Sequence, residues 1–84
     1  MYYVYVLKSK KTSWMYIGYT SDLSKRIEQH KNGLCRTTKR YLPVELIYYE
    51  AYKSMLDAMK RENGLKGYGK MVGLLKKRIT NSLH

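Results

Sequence analysis

The chain has 84 residues and a mass of 10.0 kDa, which suits one domain over residues 1–84 with one core, about 60% of the unfolded surface being buried on folding. Seventeen Lys and Arg against six Asp and Glu give a formal net charge of +11, an excess that points to a polyanionic partner, nucleic acid first, with plain solubility as the alternative. The single cysteine, Cys35, excludes an intramolecular disulfide and a multi-cysteine zinc site, and Lys8, Lys10 and Lys11 cut the apolar N-terminus too short for a signal peptide or a membrane span.

These features lead to the expectation of a cytoplasmic protein held together by packing, with no membrane partner. Ten tyrosines, one tryptophan and no phenylalanine make the aromatic core material almost entirely hydroxyl-bearing, so buried rings need hydrogen-bond partners.

Taken in chain order, Tyr2 to Leu7 is a run of aromatic and branched residues that suits a strand covered on both faces. Ser9 to Ser13 is a polar connector. Trp14 opens a second strand that runs to Thr20, and the two strands pair most simply as an antiparallel hairpin, with Tyr5 and Tyr16 on neighbouring strands. Thr20, Ser21 and Asp22 offer oxygens to the start of a helix. Leu23, Ile27 and His30 follow at helical spacing, with Arg26 stacked one turn before His30. Taken alone, such a pair is explained more simply by an Arg snorkelling past the core and a His near the helix's negative pole than by a site, and other segments must decide.

Lys31-Asn32-Gly33 stops the helix, with Gly33 free to turn left-handed. The following segment is expected to be a loop in which Arg36, Lys39 and Arg40, mixed with Thr37 and Thr38, contact phosphates or are simply solvated. Cys35 lies in it as an ordinary free thiol. Pro43 introduces a third strand, Val44 to Tyr52, with Val44, Leu46 and Tyr48 alternating against Glu45, Ile47 and Tyr49.

Ser54 and Asp57 mark a helix start. That helix runs to about Lys66 with Met55, Ala58, Met59, Glu62 and Leu65 inward. Glu62 on this stripe requires a compensating cation or metal, or must lean out to a lysine. Gly64, Gly67 and Gly69 break the pattern before a last helix, about Lys70 to Thr80, with Met71, Leu74, Leu75 and Ile79 inward and Lys76, Lys77 and Arg78 as a basic shoulder.

Tyr3-Val4-Tyr5, Tyr16-Ile17-Gly18, Arg26, His30, and Glu62 within Ala58 to Lys66 occur in the order and spacing that resembles the GIY-YIG nuclease domain, most closely its small UPF0213-like members. The resemblance covers residues 3 to about 79. Tyr3 stands where the family's first triplet has glycine, and the late asparagine of many members has no counterpart here.

The resemblance implies an α/β (α+β) domain, a three-stranded antiparallel sheet flanked by helices with its core over about residues 2–80. It also implies metal-dependent cleavage of phosphodiester bonds in DNA, or in RNA. Tyr5, Tyr16, Arg26, His30 and Glu62 take the catalytic positions: Tyr5 as general base, Tyr16 beside it, His30 relaying a proton or orienting Tyr5, and Arg26 on the scissile phosphate.

The same resemblance implies Glu62 as the metal ligand, for Mg²⁺ or Mn²⁺. Gly18, Arg26, Arg36, Lys39, Arg40, Lys66, Lys76 and Lys77 are the expected nucleic-acid contacts. Without a recognition helix, cutting would follow nucleic-acid structure rather than sequence. The alternative is a non-catalytic nucleic-acid-binding module of the same fold.

Overall fold

A computed structural model of the protein describes residues 1–67 and 69–84. Its elements are β1 (Tyr2–Ser9), β2 (Met15–Thr20), α1 (Leu23–Lys31), α2 (Arg36–Lys39), β3 (Val44–Tyr52), α3 (Met55–Gly67) and α4 (Gly69–Arg78), ending in a 3₁₀ turn, Thr80–Leu83. The sheet has the order β2-β1-β3, antiparallel throughout. The three-stranded antiparallel sheet with flanking helices is the architecture expected from the sequence. No helix among the described residues is long and apolar enough to cross a membrane.

Central placement explains why β1 carries almost no polar residue: Val4, Tyr5, Val6 and Leu7 are all essentially inaccessible. Their alternation divides the core into two layers. On one side, Val4 and Val6 meet Ala58 and Leu65 of α3, Leu75 of α4, and Ile79. On the other, Tyr5, Leu7 and Val44 meet Leu23 and Ile27 of α1.

The expected alternation of β3 is interrupted. Val6 pairs with Tyr48 but Leu7 pairs with Leu46, so one extra residue is inserted at Ile47 and the pleat changes phase there. Val44 and Leu46 therefore join the α1 layer, whereas Tyr48 joins the α3–α4 layer with Ile47. Two residues expected inward are instead exposed, Met55 at 44% and Leu74 at 58%. Met55 opens α3, and Leu74 shares α4 with Leu75, which fills the inner position alone.

Local signals hold α1 in place. Asp22 is its N-cap, accepting from the Lys25 N–H at 3.1 Å, and Gly33 adopts φ +74° after its end. Ser54 Oγ accepts from the Asp57 N–H at 3.4 Å at the start of α3. The segment expected to be a loop forms the single helical turn α2. Thr38 on it is buried, because its hydroxyl is needed inside.

Candidate active site

Tyr5 projects from the central strand toward α1, where its hydroxyl lies 2.9 Å from His30 Nε2. His30 Nδ1 lies 2.8 Å from Thr38 Oγ1, and the Thr38 hydroxyl donates to the Cys35 carbonyl at 3.3 Å. With its proton committed to Cys35, Thr38 accepts from His30 Nδ1–H. His30 Nε2 is then unprotonated and accepts the Tyr5 O–H. One directed chain of hydrogen bonds thus runs from β1 through α1 to α2, across Tyr5, His30 and Thr38, all buried.

Electrostatics keep this chain neutral. Burial, reinforced by the Arg26 guanidinium, holds His30 below the usual imidazole range. Burial, with Tyr16 adding to it, pushes the Tyr5 phenol well above its usual value, against an opposing pull from Arg26. A Tyr5 phenolate is thus disfavoured at rest, since desolvation outweighs one exposed guanidinium.

Gly18 makes the packing possible. It pairs with Tyr5 across the β1–β2 ladder, and a Cβ there would lie 2.6 Å from Tyr5 Oη and 2.9 Å from Tyr16 Cε2. Its bare backbone is covered by the two tyrosines. Tyr16 sits on Tyr5 and His30 with ring centroids 6.2 and 5.1 Å away. Trp14, 6.2 Å beyond Tyr16, stacks on Tyr41 at 3.9 Å.

Two charged groups complete the site. Arg26 is exposed, its charge acts on both Tyr5 and His30, and among the described residues no carboxylate pairs with it. Glu62 comes from the opposite layer, with its side chain 15% accessible and Oε2 3.2 Å from Lys66 Nζ. That lysine also stands 5.7 Å from the Tyr16 ring centroid, which links Glu62 to Tyr16 on β2, and the Glu62 charge is also felt by Tyr5. The alternative in which Glu62 meets a lysine is therefore part of the arrangement.

No cluster of three or more His, Cys, Asp or Glu is present among the described residues, so the donor set does not suit zinc. A lone, largely shielded carboxylate at an open edge does fit Mg²⁺ or Mn²⁺, which keeps waters and takes phosphate oxygens.

The structure thus brings together Tyr5, Tyr16, Gly18, Arg26, His30 and Glu62, with Lys66 against them. Lys76 lines an open groove with Lys66 beside β2. Arg36, Lys39, Arg40 and Lys77 are exposed but line neither that groove nor the hollows around Arg26.

Thr38 was grouped in the sequence with the phosphate-contacting residues, and only its three-residue spacing from Cys35 hints at the local turn that buries it. A second polar cluster has no sequence signal beyond its residue types. Glu50 accepts from Arg61 Nε and Nη2 at 3.0 and 2.9 Å and from the Tyr48 and Tyr52 hydroxyls, tying β3 to α3. Burial alone would raise the Glu50 carboxyl, but these donors hold it below the usual range.

The family model of the GIY-YIG catalytic domain matches residues 1–72. A UPF0213 protein of Staphylococcus saprophyticus is 39% identical over 70 residues, 82% of this chain and 84% of the other. One from Clostridium perfringens is 42% identical over 67 residues, 79% of this chain and 71% of the other. The solution NMR structure of a UPF0213 protein from Bacillus halodurans superposes with a TM-score of 0.59 at 31% identity, covering 94% of this chain and 87% of that one. By the family model over residues 1–72 and by these relatives, the chain belongs to the GIY-YIG catalytic-domain family, alongside the UPF0213 proteins.

Proposed function

We propose that the chain is a metal-dependent endonuclease that hydrolyses phosphodiester bonds in DNA, in the cytoplasm, choosing its substrate by structure rather than by sequence. The observation that carries this reading is the hydrogen-bonded chain from Tyr5 through His30 to Thr38, closed beside a shielded Glu62 and an exposed Arg26 that pairs with no carboxylate among the described residues. GIY-YIG nucleases depend on divalent metals, and Mg²⁺ or Mn²⁺ is our assignment for Glu62. A bound divalent ion would supply positive charge for the phosphate and the leaving oxygen.

The protein groups supply the remaining chemistry. Arg26 holds a non-bridging phosphate oxygen and stabilises charge as it develops, a task for which a planar guanidinium suits better than an ammonium. Tyr5 takes a proton from the attacking water as its own phenolic proton passes to His30 Nε2, so no free phenolate has to form. The water oxygen bonds to phosphorus, the bond to the leaving sugar oxygen breaks, and that oxygen is protonated by solvent. Thr38 keeps the imidazole in the tautomer this transfer needs. Arg36, Lys39, Arg40, Lys66, Lys76 and Lys77 hold the rest of the polyanion.

The test is cleavage of labelled duplex, flap, branched and single-stranded DNA with Mg²⁺ or Mn²⁺ by wild type, Glu62→Ala and Arg26→Ala, with a chelator control. Product that disappears with either substitution and with chelator is expected; product retained by both variants overturns the reading. One observation favours a second reading, a nucleic-acid-binding module without turnover: Lys66 already compensates the Glu62 carboxylate. Salt-dependent binding with no metal-dependent product would establish it.

A further inference from the structure

β2 is an edge strand, and beside it lies an open groove of about 530 Å³ between β2, α2, α3 and α4. Met15, Ile17 and Val72, each partly exposed, contribute apolar surface to it, while Thr37, Lys66 and Lys76 contribute a hydroxyl and two cations. No carboxylate lines it among the described residues. One end reaches the site directly, because Tyr16 and Lys66 belong to both the groove and the tyrosine network.

We infer that this groove is the path of one unpaired DNA strand, led along the edge of β2 to the scissile phosphate. The inference rests on the nuclease reading and specifies its substrate. A duplex shows the protein its phosphates and hides its base faces in the stack, so it has nothing apolar to lay in such a channel. An unpaired strand carries both surfaces at once: base faces to cover the partly exposed Met15, Ile17 and Val72, and phosphates to meet Lys66, Lys76 and the Thr37 hydroxyl. The net charge of +11 accounts for attraction to any polyanion, whereas the apolar surface between the cations distinguishes single strand from duplex.

The test measures binding with chelator present, so that nothing is cut. A short fluorescein-labelled oligothymidylate and a hairpin duplex of matched length are titrated at one fixed salt concentration, with anisotropy as the readout. Wild type is expected to bind the single strand about tenfold more tightly than the hairpin. Thr37→Glu and Lys76→Glu, both exposed positions, should each weaken single-strand binding about tenfold and hairpin binding less than about threefold.

Lys53→Glu, exposed in the connection between β3 and α3, controls for charge alone and should lower both alike. Hairpin binding as tight as single-strand binding, or groove variants that weaken both forms equally, overturns the inference. Failure here is distinguishable from failure of the nuclease reading. Metal-dependent cutting without single-strand preference loses only the groove, while preference without cutting loses only the catalysis.

Discussion

Gly18→Ala tests how tightly the site is built. The added methyl would lie 2.6 Å from Tyr5 Oη, 2.7 Å from Tyr5 Cζ and 2.9 Å from Tyr16 Cε2, all well inside van der Waals contact. Relief requires Tyr5 to move, yet it is 1% exposed, anchored on the central strand and hydrogen-bonded to His30 at 2.9 Å. Overpacking of this kind costs about 1–3 kcal/mol, and a lost buried hydrogen bond about 1 kcal/mol more, so roughly 2–4 kcal/mol in all.

For a domain of this size, 2 kcal/mol corresponds to a fall in Tm of about 8–16 °C. Urea unfolding followed by the fluorescence of Trp14, the only tryptophan, should show a lower midpoint with an unchanged slope. Under the proposed mechanism cleavage should fall as well, since the methyl displaces Tyr5 from His30. A midpoint within about 0.5 kcal/mol of wild type, with the His30 ring resonances unmoved, would refute the reasoning.

Thr38→Val removes the acceptor for His30 Nδ1–H in a buried setting, so stability should drop by about 1–3 kcal/mol. Imidazole nitrogen shifts should then report a changed tautomer, and an unchanged tautomer would contradict the assigned direction of the chain. Glu50→Gln weakens the partly buried, hydrogen-bonded pair with Arg61 and should cost about 1–3 kcal/mol in a thermal melt. Glu62→Gln, which loses only a pair with a half-exposed lysine four residues away, should cost about 0.3–0.5 kcal/mol; equal losses would rule out the buried role of Glu50.

Stability should also depend on His30. Its pKa is lowered from 6.5 on folding, so the unfolded chain binds the proton first as pH falls. The contribution is complete above pH 6.5 and is lost as pH falls from there through the folded value. His30→Gln should flatten the profile in that window, and a wild-type profile already flat there would dispose of the idea.

Much of this was legible in the sequence because it is local or periodic. Asp22 and Gly33 bound α1 through caps that involve only a few neighbouring residues, and the unbroken apolar run of β1, rich in aromatic and branched residues, suits a strand covered on both sides. The order of Tyr5, Tyr16, Arg26, His30 and Glu62 was readable as a motif that resembles the family's, since each residue type stands at its own spacing.

Tertiary structure decided what depends on packing between elements. The extra residue at Ile47 changes which core Tyr48 joins, and no period within β3 announces it, because the shift belongs to the pairing with β1. Thr38 becomes a partner of His30 only once α2 folds back over the end of α1. Burial, which no single residue encodes, keeps the Tyr5 phenol protonated despite the neighbouring Arg26.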